Sequence, residues 1–113
     1  MKVINGHIIH SQGSALAVWR SQIALAARQA GATPADGSIA INMTFTMNKP
    51  RTVTRPHPTV APDLDKLVRA VLDGLTAIAY RDDAQVTAIT AKKIYGERPG
   101  VNIALWRDIP ILE

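Results

Sequence analysis

Pro62-Asp63-Leu64-Asp65-Lys66-Leu67-Val68-Arg69-Ala70-Val71-Leu72-Asp73-Gly74-Leu75-Thr76-Ala77-Ile78 carries the strongest periodic signal in the chain. Leu64, Leu67, Val68, Val71, Leu72, Leu75 and Ile78 recur at the spacing of one helical face. Pro62 ends the preceding loop and Asp63 stands where a side chain caps a helix. The pattern predicts a helix from Asp63 to about Ala79. Gly74 weakens it by up to ~1 kcal/mol relative to alanine. An apolar stripe of this length must be buried against another layer.

Downstream, Gln85 to Tyr95 and Val101 to Trp106 read as two strands. Glu97-Arg98-Pro99-Gly100 is a turn sequence between them, so an antiparallel hairpin is expected. The tail from Arg107 has no clear element. Upstream, residues 48–62 hold four prolines, three cations and no acid. Proline removes donors and blocks regular pairing, which predicts an extended, mobile basic loop. Before it, Ile39, Ile41, Met43, Phe45 and Met47 alternate with Asn42, Thr44 and Thr46, the mark of a half-buried strand. The methionines read as core filler.

Ser14 to Ala30 reads as a helix with Leu16, Trp19, Ile23, Ala26 and Ala27 near one face and Gly31 ending it. Arg20 and Arg28 lie off that stripe and read as solvated scaffold residues. Val3-Ile4-Asn5-Gly6-His7-Ile8-Ile9 has an Asn-Gly step between β-branched runs, which predicts a short hairpin with a tight turn. The order predicts a single α+β domain over residues 1–113, with two helices on one face of a small mixed or antiparallel sheet. No internal repeat is visible.

Composition narrows the class. The chain has 113 residues, 47% of them apolar and 19% charged, enough for a core and unlike a disordered chain. There is no cysteine, which excludes disulfides and thiolate metal sites. No apolar run approaches the ~20 residues needed to span a bilayer, and the first ten residues do not read as a signal peptide. A cytoplasmic protein is expected. The net charge is +4 and the pI is near 9.9, which favours a polyanionic partner.

The acids are distributed against that background. Five of the nine (Asp63, Asp65, Asp73, Asp82 and Asp83) fall between positions 63 and 83. At a helix start, carboxylates two residues apart can turn toward one point. Asp82-Asp83 follows the helix, which at about 15 residues is ~22 Å long. Asp83 rejoins Asp65 if the next strand runs back along the helix. Alternatively, the Asp63 and Asp83 ends meet across a dimer. Mg²⁺ takes hard oxygen ligands and hydrolyses phosphodiesters by activating water, so such acids beside a cationic groove suit that reaction.

The plainer reading makes Asp63 and Asp65 caps, stabilised by ~0.3–1 kcal/mol each at a helix N-terminus. Arg69 lies four residues after Asp65 and four before Asp73. It belongs to an exposed ion-pair ladder in one reading and binds phosphate in the other. Lys66 can reach phosphate, and Lys49, Arg51 and Arg55 can line a DNA backbone. His7, His10 and His57 have no ligand-like spacing.

Pro62-Asp63-Leu64-Asp65-Lys66-Leu67, Leu72-Asp73-Gly74-Leu75 and Asp82-Asp83-Ala84-Gln85-Val86 together resemble the RusA family of Holliday junction resolvases. The family pattern is D-x-D-N-L-x-K, then D-A-L, then D-D-x-Q-V. The strand with Lys92-Lys93 and the stretch from Tyr95-Gly96 to Pro99-Gly100 look like phage-type members. The resemblance is firm from about position 60 to 105 and weaker from 10 to 47.

It implies a homodimeric endonuclease, dependent on Mg²⁺ or Mn²⁺, that nicks four-way DNA junctions symmetrically for recombination and repair. The family's catalytic, metal-holding acids map onto Asp63, Asp65 and Asp83, and its catalytic lysine onto Arg69. Lys66 stands where the pattern has asparagine, and Arg69 keeps charge but loses proton transfer. Members begin with a strand and a loop ahead of the region matching His10, so an edge strand is expected to be missing. The alternatives are a catalytically impaired protein that binds branched DNA without cutting it, and a structural or interaction domain whose acids only cap and solvate.

Overall fold

The computed structural model describes residues 2–6 and 15–107, with side chains from Val18 onward. Along the chain lie β1 (Lys2–Gly6), α1 (Ala15–Gln29), β2 (Ile39–Met47), α2 (Leu64–Leu75), β3 (Val86–Tyr95) and β4 (Gly100–Arg107). A single 3-10 turn, Asp83–Gln85, leads into β3. The strands form one mixed sheet in the order β1-β4-β2-β3. The fold is α+β, as its pattern predicts.

The alternation in β2 and β4 decides which face is covered. Ile39, Ile41, Met43, Phe45 and Met47 are buried, as are Val101, Ile103 and Leu105. They meet Trp19, Ile23 and Ala27 of α1 and Leu67, Ala70, Val71 and Leu75 of α2 in one core cluster. Both helices therefore lie on one face of the sheet. Trp19 and Phe45 join the layers, with ring centroids 5.7 Å apart and tilted by 58°.

Gly74 has a packing reason to be glycine. A Cβ there would sit 2.9 Å from the Arg20 carbonyl oxygen and 3.1 Å from Ile23. The propensity lost inside α2 is offset by letting the two helix backbones approach closely.

Three expectations need correcting. β3 and β4 are not paired. β2 lies between them, parallel to β3 and antiparallel to β4. Two strand spacings are about 9.6 Å, and the four-residue link spans up to ~14 Å, so it can cross the end of β2. Gly96 donates its N–H to the Met47 carbonyl at 3.0 Å during the crossing. A Cβ on Gly96 would lie 2.6 Å from Thr46 Cγ2, so only glycine passes so close.

Asn5-Gly6 is not a turn. Both residues continue β1, opposite Asn102 and Val101 of β4. Strand pairing along β4 overrides the local turn preference, and the expected second strand, at residues 7–9, lies outside the described residues. β1 forms one edge of the sheet.

α2 ends at Leu75, not Ala79. The Leu72 carbonyl accepts the Thr76 N–H at 3.1 Å, the Thr76 hydroxyl at 2.8 Å and the Tyr80 hydroxyl at 2.7 Å. Side-chain donors thus compete for the last turn and stop the helix. Ala77 then takes a left-handed conformation at φ 69. Ile78 and Ala79, which extended the apolar period, pack on the core from this turn instead.

Candidate active site

The first turn of α2 is open. Asp63 occupies the cap position at φ −67 and ψ 143, but its side chain makes no cap hydrogen bond. Its main-chain carbonyl accepts from Leu67 N–H at 3.1 Å. Its carboxylate instead faces Lys66 Nζ at 3.5 Å in a pair about 60% exposed, 63% and 62% on the two side chains. Such a pair contributes only ~0–1 kcal/mol and is easily exchanged. Asp65, one position into the helix, is exposed and has no hydrogen bond or ion pair among the described residues. The expected side-chain cap at Asp63 is absent, and its carboxylate oxygens remain open to another ligand.

Arg69 lies one turn further on. Its Nη1 is 2.9 Å from Asp83 Oδ2 and 3.8 Å from Asp73 Oδ1. The other Asp73 oxygen is 3.7 Å from Arg20 Nη1 on α1. Asp83, Arg69, Asp73 and Arg20 therefore form an alternating charge chain across the two helices. Arg20, Asp65, Lys66, Arg69, Ala70 and Asp73 line one shallow groove.

Gln85 holds Asp83 in reach of that groove. Its Oε1 accepts from Arg81 N–H at 2.8 Å and Asp82 N–H at 2.9 Å. Its Nε2 donates to the carbonyls of Ala35 and Gly37, both at 2.9 Å. All four groups of one amide are spent fixing the turn. Asp82 accepts Ala84 N–H at 2.9 Å as a cap, which leaves Asp83 to face α2. The adjacent aspartates thus do different jobs.

β3 runs back along α2. Its start leaves Asp83 beside Arg69, and near its end Lys93 Nζ donates to the carbonyls of Val60 at 2.7 Å and Pro62 at 2.9 Å. The strand runs in the direction of the first arrangement expected for Asp83, but Asp83 meets Arg69 there, not Asp63 or Asp65. The acids are linked through cations: Lys66 on Asp63, and Arg69 on Asp83. Among the described residues, no three His, Cys, Asp or Glu side chains are gathered to hold a metal ion. Mutual repulsion of carboxylates favours these interposed cations. In kind, the donors fit Mg²⁺ or Mn²⁺: they are hard oxygens, solvent-accessible, and Asp63 and Asp65 are not used as caps. Mg²⁺ needs only one or two carboxylates, with water and phosphate completing its shell.

The basic loop folds against the far end of β3. Lys49 Nζ lies 5.7 Å and Arg55 Cζ 5.9 Å from the Tyr95 ring centre. Arg51 is exposed, in a turn closed by Val53 N–H to the Pro50 carbonyl at 3.0 Å. The loop, and with it Lys49 and Arg55, is fastened at its end by Lys93. His57 is exposed; His7 and His10 lie outside the described residues.

Four contributors were not legible as such. Arg20 looked solvated because its partner, Asp73, belongs to the other helix. Lys93 and Tyr95 were visible only as parts of the family resemblance, without a role. Gln85 was visible only as part of a motif. No helix among the described residues is long and apolar enough to cross a membrane.

The curated protein YqaN of Bacillus subtilis (strain 168), described as uncharacterized, is 39% identical to this chain over 49 residues. That stretch is 43% of this chain and 34% of YqaN, so the match spans about a third of the relative's length. The family model for Endodeoxyribonuclease RusA matches residues 5–106. With the three acidic motifs inside that span, the chain belongs to the RusA family of endodeoxyribonucleases.

Proposed function

We propose that this chain is a divalent-metal-dependent endodeoxyribonuclease that resolves four-way DNA junctions by paired nicks, acting as a homodimer. The observation that carries the reading is the groove on α2, in a RusA-family chain. There, the unpaired Asp65 carboxylate at its first turn adjoins Lys66, Arg69 and Arg20, with Asp83 tethered to Arg69.

Asp63, Asp65 and Asp83 would hold Mg²⁺ or Mn²⁺. When bound, the ion supplies an activated water and neutralises charge at the leaving oxygen. Arg69 binds the phosphate at the cleaved bond, and its planar fork suits two phosphate oxygens. To do so it exchanges Asp83 for phosphate, while Asp73 keeps it in the groove. Arginine does not transfer protons at neutral pH, so its part is electrostatic. Lys49, Arg51, Arg55 and Lys66 contact the flanking backbone, and two copies of the chain serve the two strands cut.

The test is a synthetic four-way junction incubated with the protein and Mg²⁺. Paired nicks are expected, with Asp65→Asn abolishing them while binding persists; equal nicking by the variant refutes the role of Asp65. One observation favours a second reading. Asp63 and Asp83 are already neutralised by Lys66 and Arg69. A protein that binds branched DNA without cutting would leave them so. Metal-independent binding without cleavage, across a range of Mg²⁺ and Mn²⁺, supports that alternative.

A further inference from the structure

A second pocket lies between the basic loop and the end of β3, away from the α2 groove. Arg55, Tyr95, Met47, Pro58, Val60 and Ala61 help to line it. Two of its lining residues each carry a polar atom that is covered from solvent and has no hydrogen-bond partner: Arg55 Nε and the Tyr95 hydroxyl oxygen. Buried polar groups are nearly always satisfied, so two orphans in one pocket call for a ligand.

The missing partner has a definite chemistry. Arg55 Nε can only donate, and the Tyr95 hydroxyl can donate beside it. Lys49 and Arg55 bring two positive charges to the Tyr95 ring, and residues 48–62 contain no acid to oppose them. A group that accepts, never donates and carries negative charge meets every requirement. A phosphodiester is such a group. A nucleobase would bring donors of its own and would need a free aromatic face, whereas both cations already lie over Tyr95.

Position adds the context. Lys93 binds the carbonyls of Val60 and Pro62, which fixes the pocket wall, and the residue just before α2, to β3. Ala61 of the wall is two residues before Asp63, so their Cα atoms are within ~7 Å. We propose that this pocket binds a backbone phosphate of the DNA strand next to the one cleaved, held by Arg55, Lys49 and the Tyr95 hydroxyl. The proposal rests on the reading of the chain as a DNA-binding nuclease. It adds Tyr95 as a direct phosphate ligand and gives the basic loop one defined contact.

Binding is measured without metal, so that cleavage plays no part, by fluorescence anisotropy of a labelled four-way junction at several salt concentrations. Arg55→Gln is expected to weaken binding roughly tenfold. It should also reduce the slope of log affinity against log salt by about 0.9, the value of one phosphate contact. Tyr95→Phe, which keeps the ring, weakens binding by a smaller factor of about three with the slope nearly unchanged. Arg28→Gln, on α1, serves as the charge control.

Single methylphosphonate replacements near the crossover then locate the contact. One position should cost the unaltered protein affinity and cost Arg55→Gln nothing further. Unchanged affinity and slope in both folded variants overturn the proposal. So does a loss that follows removal of a base instead of neutralisation of a phosphate, or absence of junction binding by the unaltered protein. Should Tyr95→Phe melt early, Arg55→Gln with its methylphosphonate cycle decides alone. Nicking in Mg²⁺ is scored separately. Intact nicking with an insensitive pocket sinks only the pocket, and a sensitive pocket without nicking sinks only the nuclease reading.

Discussion

The two ends of α2 are built on opposite terms. At the C-terminal end everything is spent: Leu72 O takes three donors, Tyr80 is fully buried, and Gly74 lies against α1. At the N-terminal end little is spent: Asp63 declines its cap and Asp65 has no partner among the described residues. Twelve residues of one helix, Leu64–Leu75, thus carry a structural anchor and a chemical opening. Stability and reactivity are separated along a single element, and substitutions should show the division.

The largest effect should come from the open end. Asp65→Asn should reduce junction nicking by on the order of 10³-fold while the thermal midpoint stays in place, since the side chain supports no packing. A matching fall in melting temperature would mean that the two ends are not independent. Next comes the anchored end. Gly74→Ala forces Cβ against the Arg20 carbonyl and should destabilise the fold by about 1–3 kcal/mol. For a chain of this size that is a drop of several degrees or more in melting temperature, read by calorimetry. Nicking measured well below the midpoint should survive.

Alkaline pH probes the same end more gently. Burial, the largest cause, raises the Tyr80 phenol from 10.0 to about 12. Because the folded value lies above the unfolded one, stability is intact below pH ~10 and declines as pH rises toward ~12. The decline should be on the order of 2 kcal/mol, and Tyr80→Phe should remove it. Denaturant midpoints across that window would expose the error if the variant declined equally. The smallest effect is expected far from α2. Arg81 and Asp36 pair at 2.6 Å in the open, and Arg81 holds the Asp36 carboxyl below its usual range. Water screens this pair, so Asp36→Asn should leave the melting temperature where it was.

What the sequence disclosed follows the same division between local and distant causes. The stripe from Leu64 to Leu75 and the alternation from Ile39 to Met47 were readable because each element records its own burial. The acids at 63, 65 and 83 and Arg69 were readable only as candidates; that Arg69 would pair with Asp83 was not readable, because Asp83 belongs to a turn fixed by Gln85. The split between β3 and β4 was not, because a four-residue link fits a hairpin and a crossing equally well. Only the need of β2 for neighbours on both sides distinguishes them. Asn5-Gly6 misled because turn preference is local and the β4 partner is about 95 residues away. The early end of α2 depends on Tyr80 folding back to Leu72. Arg20 and Tyr95 gained their roles only from what another element brings beside them.

The strand order has a consequence for how the chain assembles. β1, the earliest strand in the sequence, pairs within the sheet only with β4, the latest. During synthesis, β1 must therefore wait, unpaired, until nearly all described residues have left the ribosome. Such long-range closure slows folding and leaves an unpaired strand available to other chains in the interval. Amide protection along β1 should consequently rise and fall with that of β4, as though the two distant segments were one late-forming unit.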